Sequence, residues 1–318
     1  MNAMTEPSNK PRHLLTLLDR TENELLALLA RAADHKRLRG TGPSSAPTLP
    51  KPLAGKSIGL IMEKASTRTR ISFEVAIAEL GGTCVSMHGR DLQLGRSEPL
   101  PDTARVLSRY LHGVVLRTFG HDRIESLAEH SSIPVINALT DKFHPCQVLA
   151  DLLTVQEHRS AGLAGLVVAW IGDGNNMAHS WILASARLGF ELRLACPDGY
   201  RPADEVLALA DAQGKGKRIV VRAPEDAIHG AHVVTTDVWA SMGQEDEAEA
   251  RRQAFLGYCV TQELMAKATP DAIFLHCLPA HRGEEVSAEV IDGPASRVWD
   301  EAENRLHVQK ALLEQACS

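Results

Sequence analysis

Short apolar runs alternate with amphipathic segments along most of the chain. In the first half the strand-like runs are SIGLIME, GTCVSM, GVVLRTF and PVINAL, and amphipathic segments such as RISFEVAIAEL and RIESLAEH separate them. The alternation restarts with LVVAWIGD and continues through ELRLACP, RIVVRA, HVVTTDVW and AIFLHCLP, with one long helix predicted around residues 248–268. Strands separated by helices predict parallel βαβ units.

The segment TENELLALLARAADHKRLRG predicts the first helix of the chain. Thr21 and Glu24 have the spacing of a capping box, leucines recur at helical intervals, and basic residues precede Gly40. We therefore expect the helix to begin just after Thr21 and to end at Gly40.

The pattern predicts an α/β fold with two similar-sized domains, each a parallel sheet flanked by helices. A chain of 318 residues exceeds the size at which one core is usual. The stretch CQVLADLLTVQEHR predicts a hinge helix near 145–158. We expect a first domain at 1–145, a second at 146–300, and a C-terminal helix within 301–318 that packs back on the first domain.

Composition and charge exclude several classes of protein. The 34 Lys and Arg against 40 Asp and Glu give a formal charge of -6, which argues against a protein that coats nucleic acid. No run approaches the roughly 20 apolar residues of a membrane span, and the start lacks the apolar core of a signal peptide, so we expect a cytoplasmic protein. The six scattered cysteines indicate free thiols and no disulfide scaffold.

Cationic and hydroxyl side chains follow the first strand. Lys-Ala-Ser-Thr-Arg-Thr-Arg occupies residues 64–70, where a helix begins at once. Hydroxyls and guanidinium groups beside the unpaired N–H groups of a helix start favour a phosphate site. The alternative is an ordinary N-cap with solvated arginines, but cations there oppose the helix dipole unless an anion is present.

Two further strand ends carry hydrogen-bond donors. GVVLRTF ends near Arg117, and PVINAL leads to His144 and Gln147 at the start of the hinge helix. A lone histidine at a helix start is more often structural than catalytic. Converging Arg, His, Gln and Thr donors are nevertheless suited to polarising a carbonyl group and holding a phosphate leaving group.

The second half offers amides and a carboxylate at its strand ends. GDGNN resembles the start of a dinucleotide fingerprint, but its third glycine is missing. Asn175 and Asn176 offer amides there, and Asp237 ends a strand before a Gly-containing acidic loop. Such a carboxylate is suited to binding an amine, although a turn with solvated charges is the alternative.

The strand AIFLHCLP ends with His276 and Cys277. The adjacent pair lacks the ligand spacing of zinc sites and no second pair completes a set, so no metal is predicted. Cys277 is a possible nucleophile, but thiols in apolar strands are usually inert.

These motifs occur in order along nearly the whole chain. They are Ser-Thr-Arg-Thr-Arg at 66–70, Arg117, His-Pro-Cys-Gln at 144–147, Asp237 with Ser-Met-Gly at 241–243, and His-Cys-Leu-Pro at 276–279. Together they resemble the transcarbamylase family and, within it, the ornithine carbamoyltransferases. The resemblance implies transfer of a carbamoyl group from carbamoyl phosphate to the side-chain amine of ornithine, giving citrulline and phosphate.

The resemblance also implies a residue set for each substrate. The residues implied to bind carbamoyl phosphate are Ser66, Thr67, Arg68, Thr69, Gln93, Arg117, His144, Gln147, Cys277, Leu278 and Arg305. Those implied to bind ornithine are Asn176, Asp237, Ser241 and Met242, with Cys277 and Leu278 beside the path of the amine. Those expected to take part in catalysis are Thr69, Arg117, His144 and Cys277. Gln93 matches a position that reaches a neighbouring subunit, which implies a homotrimer with shared active sites.

Carbamoyl phosphate is an activated acyl donor, so neither a cofactor nor a metal is expected. The short loop AHRGEEV and the form GDGNN resemble the biosynthetic enzyme, in arginine biosynthesis, more than the catabolic one. A catabolic role and a related amine as substrate remain alternatives. Two other classes also remain: a nucleotide-linked dehydrogenase based on GDGNN, and a binding module for phosphate or amino acids that has no turnover.

Overall fold

The computed structural model describes residues 11–40, 50–89, 98–240 and 247–318. Within these ranges the chain forms two parallel sheets, each covered by helices. The predicted α/β class with two parallel-sheet domains is confirmed.

The first sheet contains four parallel strands. They are β1 (Ser57–Met62), β2 (Thr83–His88), β3 (Gly113–Arg117) and β4 (Val135–Leu139). Its helices are α1 (Glu22–Arg39), α2 (Thr67–Glu79), α3 (Leu100–Tyr110) and α4 (His121–Glu129), with a 3-10 turn at Leu17–Asp19. The spatial order is β2-β1-β3-β4, so the strand order reverses between β1 and β3.

The second sheet contains five parallel strands. They are β5 (Val167–Ile171), β6 (Glu191–Ala195), β7 (Lys217–Val221), β8 (Val233–Thr236) and β9 (Ile273–His276). The helices of this half are α6 (Asn176–Leu188), α7 (Asp204–Asp211), α8 (Pro224–Ile228), α9 (Ala248–Ala254), α10 (Gln262–Met265) and α11 (Ala288–Ile291). The order β7-β6-β5-β8-β9 reverses between β5 and β8. Ligands of such sheets bind outside the carboxyl ends at these reversals.

Two helices join the halves. They are α5 (Pro145–His158), which follows β4, and α12 (Val298–Cys317), which ends the chain. The apolar residues of α5 are buried all round, and α12 packs against α1, α2 and α5 while also touching β9. The packing of α12 brings residues from the end of the chain next to the first sheet.

The predicted first helix is confirmed at both ends. The Thr21 side chain accepts from the Glu24 N–H while the Glu24 carboxylate accepts from the Thr21 N–H, which completes the capping box. Gly40 follows the helix with a φ of 70°, a backbone conformation that favours glycine.

The prediction of one long helix around residues 248–268 is wrong. The structure has two short helices there, α9 and α10, separated by a turn. Gly257 has a φ of 89°, and Val260 then forms a parallel bridge with Val286, so the segment between them is extended and cannot continue a helix. The last helix is longer than the pattern NRLHVQKALLEQA predicts, because α12 already begins at Val298.

All six cysteines lie in the described ranges, and each is a free thiol, as predicted. Among the described residues, none of the helices has the length and apolar character required to cross a bilayer.

Candidate active site

The start of α2 collects hydroxyl groups at the carboxyl end of β1. Ser66 is the N-cap, and its hydroxyl accepts from the Thr69 N–H at 3.3 Å. The same hydroxyl donates to Thr69 Oγ1 at 3.1 Å. The first turn contains no acidic residue, so the partial positive charge of this helix end is not neutralised within the turn.

Two buried guanidinium groups converge on the Thr69 hydroxyl. Arg117 ends β3 and is paired in register with Met62 of β1, which places it beside the start of α2. Its Nη1 lies 3.4 Å from Thr69 Oγ1, and Nη2 of Arg305, from α12, lies 2.8 Å from the same oxygen. Parallel pairing of β1 and β3 therefore explains the position of Arg117, while only the packing of α12 explains that of Arg305.

Both of these guanidinium groups are buried. Across the described ranges, neither Arg117 nor Arg305 forms an ion pair, although they are only 9% and 4% exposed. The Nε atom of each is buried without a hydrogen-bond partner. Burial, together with the positive charge of neighbouring Arg305, lowers the pKa of Arg117 to about 10. Buried cations are normally paired, so this arrangement favours an anionic ligand.

His144 lies against the same cations. It is the N-cap residue of α5, its N–H donates to Ser180 Oγ at 2.7 Å, and its Nδ1 is buried without a partner. Burial lowers the pKa of His144 well below 6.5, and Arg305 and Arg117 lower it further. The imidazole is therefore neutral near pH 7 and can donate one N–H without adding charge.

Gln147 completes this group of side chains from the first turn of α5. Its amide oxygen accepts from Arg305 Nη1, and its amide nitrogen donates to Asp151 and Glu301, each at 2.8 Å. Thr69, Arg117, His144, Gln147 and Arg305 thus form one contiguous cluster. Ser66 adjoins it, and Arg68 is close enough that its charge lowers the pKa values of Arg117 and Arg305.

A second cluster lies at the ends of β8 and β9. These strands pair with Thr236 opposite His276, so the residues that follow them, Asp237 and Cys277, become neighbours. Cys277 Sγ donates to Asp237 Oδ1 at 3.1 Å, and Asn175 Nδ2 donates to Asp237 Oδ2 at 2.9 Å. Desolvation and the Asp237 charge raise the pKa of Cys277 well above 9, so the thiol stays protonated and acts as a donor.

The turn after β9 fixes the ring of His276. Leu278, with a φ of 59°, donates its N–H to His276 Nδ1 at 2.9 Å. The ring's Nε2 lies 3.2 Å from Glu285 Oε1, so in the neutral ring the proton is on Nε2. The ligand atoms of Asp237, His276 and Cys277 lie within 4.8 Å of one another. Both ring nitrogens are already engaged, so this group does not offer an imidazole lone pair to a metal.

The glycine segment GDGNN does not leave a helix N-terminus free. The Asn175 side chain accepts from the N–H groups of Met177 and Ala178, at 2.9 and 3.3 Å. A Cβ at Gly174 would lie 2.2 Å from the nitrogen of Pro202, so this glycine permits close packing of two loops. The N–H groups that a pyrophosphate would bind are occupied, which removes support for the dehydrogenase alternative.

The remaining predicted residues are placed as follows. Asn176 donates its amide to the Thr140 carbonyl at 2.8 Å, which links the second domain to the end of β4. Thr67 begins α2, and Leu278 follows Cys277. Gln93, Ser241 and Met242 lie outside the described residues.

Sequence reasoning missed two residues that contact the predicted ones: Asp151 and Glu301 accept hydrogen bonds from Gln147. Asn175, which the sequence analysis named with Asn176 as an amide at this strand end, donates to Asp237. The sequence contained a signal for these two acidic residues. Asp151 stands four residues after Gln147, and Glu301 stands four residues before Arg305, so each shares a helix face with a predicted site residue.

Two family profiles match the chain. Residues 12–157 match the carbamoyl-P binding domain of the aspartate/ornithine carbamoyltransferases, and residues 164–316 match their Asp/Orn binding domain. The chain belongs to the aspartate/ornithine carbamoyltransferase family. The predicted membership of the transcarbamylase family, and with it the prediction of an enzyme, is confirmed.

Individual carbamoyltransferases match over almost their whole length. An ornithine carbamoyltransferase from Pelobacter propionicus is 53% identical over 302 residues, covering 95% of this chain and 97% of the relative. A Pseudomonas aeruginosa protein named "Ornithine carbamoyltransferase, anabolic" is 53% identical over 304 residues, covering 95% and 96%. The closer resemblance to ornithine carbamoyltransferases is thereby confirmed.

Solved structures of this family agree with the fold. The ornithine carbamoyltransferase from Pyrococcus furiosus has a TM-score of 0.91 at 45% identity, covering 98% of this chain and 99% of that one. The anabolic ornithine carbamoyltransferase from Campylobacter jejuni has a TM-score of 0.87 at 41% identity, covering 95% and 97%.

Proposed function

We propose that the protein transfers the carbamoyl group of carbamoyl phosphate to the side-chain amine of L-ornithine, giving L-citrulline and phosphate. The observation that carries the proposal is the pair of buried guanidinium groups, Arg117 and Arg305, which meet at the Thr69 hydroxyl and have no carboxylate partner among the described residues. A dianionic acyl phosphate supplies the missing negative charge. The names of the relatives support ornithine as the acceptor.

The first cluster is suited to the carbamoyl phosphate half of the reaction. In this proposal Ser66, Thr67, Arg68 and Thr69 bind the phosphate at the start of α2. Arg117, His144, Gln147 and Arg305 bind the carbamoyl part. Charge grows on the carbonyl oxygen and on the leaving phosphate during attack, so donors fixed beforehand stabilise the transition state more than the ground state.

Catalysis by this cluster needs no cofactor. Thr69, Arg117 and His144 donate to the developing oxyanion, while Arg68 and its neighbours stabilise the departing phosphate, which can itself accept the proton. The low pKa of His144 supports this role, because a neutral imidazole can donate a hydrogen bond without adding another positive charge.

The second cluster is suited to the amine. Asp237 and Asn176, with Ser241 and Met242, bind the amino-acid end of ornithine in this proposal. Cys277 and Leu278 line the path of the side-chain amine. An amine with a pKa of about 10.4 is almost wholly protonated at neutral pH, so the site must select the neutral fraction or remove a proton. Cys277 acts there as a hydrogen-bonding partner and not as a covalent nucleophile.

The proposal also includes the oligomeric state of the protein. β2 lies at the edge of the first sheet, and Val85 on it is 39% exposed, while Ile71 on the adjacent helix α2 is 54% exposed. These apolar residues are suited to contact with a second copy. We expect a homotrimer in which Gln93 reaches the neighbouring active site, and light scattering of the purified protein measures the copy number.

The family profiles support separate binding of the two substrates by the two domains. We assign carbamoyl phosphate binding to residues 1–145 and ornithine binding to 146–300, with the helix of 301–318 returning to the first domain. The contacts of α12 with α1 and α2 support the last assignment. We place the reaction in arginine biosynthesis, in the cytoplasm; the anabolic relatives support the biosynthetic direction.

The test is citrulline release from carbamoyl phosphate with L-ornithine, beside aspartate, putrescine and N-acetylornithine, with and without a chelator. We expect turnover with ornithine alone and no effect of the chelator. Thr69→Val, which deletes the hydroxyl on which both arginines converge, serves as the inactive reference that excludes a contaminating enzyme. Turnover with another amine would leave the proposed carbamoyl phosphate site standing. It would overturn the assignment of Asp237 to ornithine binding. Binding of carbamoyl phosphate without turnover of any amine would leave a binding module.

A further inference from the structure

The amide group of Gln147 has a fixed direction. Its nitrogen donates to two carboxyl groups, Asp151 Oδ1 and Glu301 Oε1, each at 2.8 Å. Its oxygen faces Arg305 Nη1, which can only donate. Both N–H bonds are therefore used on the side away from the arginines, and the oxygen is the only end that points toward them.

The two carboxyl groups are buried together behind Gln147. Asp151 and Glu301 are each 1% exposed and come from different helices, α5 and α12. Burial raises the pKa of Asp151 to about 7, and burial together with the Asp151 charge raises the pKa of Glu301 well above 4.5. Two carboxylates in one buried site repel each other, so the pair favours holding one proton near neutral pH, and Asp151 Oδ2 is buried without a hydrogen-bond partner.

Glu301 also reaches the second cluster. Its Oε2 accepts from the backbone N–H of His276 at 2.8 Å, and His276 directly precedes Cys277. One carboxyl group thus contacts both the amide that faces the first cluster and the strand end that carries the second.

We propose that Asp151 and Glu301 are positioning residues that hold the Gln147 amide with its oxygen toward the carbamoyl N–H group. The inference rests on the proposed carbamoyl transfer. A carbamoyl group offers N–H donors on one side and a carbonyl oxygen on the other. The Gln147 oxygen has two lone pairs, so it can accept from the carbamoyl N–H as well as from Arg305. A reversed amide would instead place its N–H groups against the N–H groups of Arg305 and of the carbamoyl group.

The decisive variant is Glu301→Gln. The glutamate accepts two N–H groups with two oxygens, from Gln147 and from His276. A glutamine has one oxygen, and because the backbone N–H of His276 is fixed, its amide nitrogen then faces Gln147 and favours the reversed amide. We expect kcat/KM for carbamoyl phosphate to fall about ten- to a hundredfold, as for one misdirected buried hydrogen bond, with KM for ornithine changing less than twofold.

Asp151→Asn is the conservative substitution against which Glu301→Gln is compared. Its oxygen still accepts from Gln147, and its uncharged amide removes the repulsion between the two buried carboxyl groups. We expect this variant to keep kcat/KM for carbamoyl phosphate within about fivefold of wild type, whereas Asp151→Ala loses as much as Glu301→Gln.

The matched control is Glu314→Gln, on the same helix α12 as Glu301. Glu314 pairs with Arg31 and His35, at 2.7 and 2.8 Å, away from both clusters. Its substitution should lower the melting temperature but leave both kinetic constants near wild type. A fall in kcat/KM that simply follows the fall in melting temperature across all variants would assign Asp151 and Glu301 a structural role only.

Every outcome of these measurements either supports the inference or overturns it. The inference is supported by a selective loss in Glu301→Gln together with retention in Asp151→Asn. It is overturned by near-normal kcat/KM in Glu301→Gln, or by equal losses in Asp151→Asn and Asp151→Ala. If Glu301→Gln does not fold, the comparison of the two Asp151 variants decides alone. Failure of the wild type to form citrulline would instead overturn the proposed function.

Discussion

Arg305 donates a hydrogen bond of 2.8 Å to the hydroxyl of Thr69, although 236 positions separate the two residues in the sequence. The contact exists because α12 packs against α1, α2 and α5 and so returns the end of the chain to the first sheet's helices. The guanidinium also reaches the amide oxygen of Gln147. A single planar side chain thus joins the helix that begins the first cluster to the helix that links the two domains.

Arg305→Lys should show whether the positive charge of Arg305 is sufficient or whether its guanidinium geometry is also required. A lysine keeps the positive charge but is a point donor, which cannot contact Thr69 and Gln147 as the guanidinium fork does. We expect kcat/KM for carbamoyl phosphate to fall about ten- to a hundredfold, while KM for ornithine stays near wild type. Steady-state kinetics with each substrate varied measures this. Arg31→Lys, in a bidentate pair with Glu314, is the control for a lost guanidinium fork outside the site.

Arg117→Ala should lower turnover strongly. It removes a buried donor that we assign to the oxyanion, and one such donor contributes about a hundred- to a thousandfold in kcat. Because no carboxylate in the described part of the chain pairs with Arg117, its removal leaves no buried anion unpaired there, so stability should change little. Turnover and thermal unfolding of the same preparation check both statements. Near-normal turnover would refute the oxyanion role, and the exposed Arg37, replaced by alanine, provides the reference.

Cys277→Ala should impair turnover without abolishing it. Desolvation and Asp237 hold the pKa of the thiol well above 9, so a thiolate nucleophile is not available at neutral pH. The variant loses one hydrogen bond to Asp237, and we expect kcat to fall about tenfold. Cys259→Ala, which replaces another partly buried cysteine, is the control. Complete loss of activity, together with a trapped adduct on Cys277 seen by mass spectrometry, would contradict the hydrogen-bonding role.

His307 should make folding stability depend on acid pH. Burial, together with the positive charge of nearby Lys310, lowers its pKa to about 3. The unfolded chain takes up a proton below about pH 6.5 and the folded chain does not, so stability falls as the pH drops through this range. The His307 contribution between about pH 7.5 and about pH 5 is a loss of about 2 kcal/mol.

The measurement compares wild type with His307→Gln by urea unfolding at both pH values. Asp151 and Glu301 change stability in the opposite direction, because their raised pKa values favour folding as the pH falls, and they act equally in both proteins. The difference between the two pH dependences therefore isolates His307. Identical pH dependences would show that the folded protein protonates His307 as readily as the unfolded chain.

The regular elements were predictable because local patterns dictate them. Thr21, Glu24 and Gly40 mark the ends of α1 in sequence and structure alike. The predicted helix around 248–268 failed because the bridge between Val260 and Val286 is a contact with a later segment, which no local period reports. Phe255, Val260 and Leu264 are buried although the segment is not one helix, so their apolar character did not distinguish a helix from a turn and an extended stretch.

By itself, the sequence determined the parallel α/β architecture, the family and the residues at the strand ends. Apolar periodicity and residue type are local properties, and a parallel sheet necessarily gathers its carboxyl ends at one edge. Only the tertiary structure decided that Arg305 meets Thr69, that Asn175 holds Asp237, and that Asp151 and Glu301 lie behind Gln147. The reason is that these contacts depend on how α12 and the two sheets pack, and burial converts ordinary acids and bases into partners with shifted pKa values only once that packing exists.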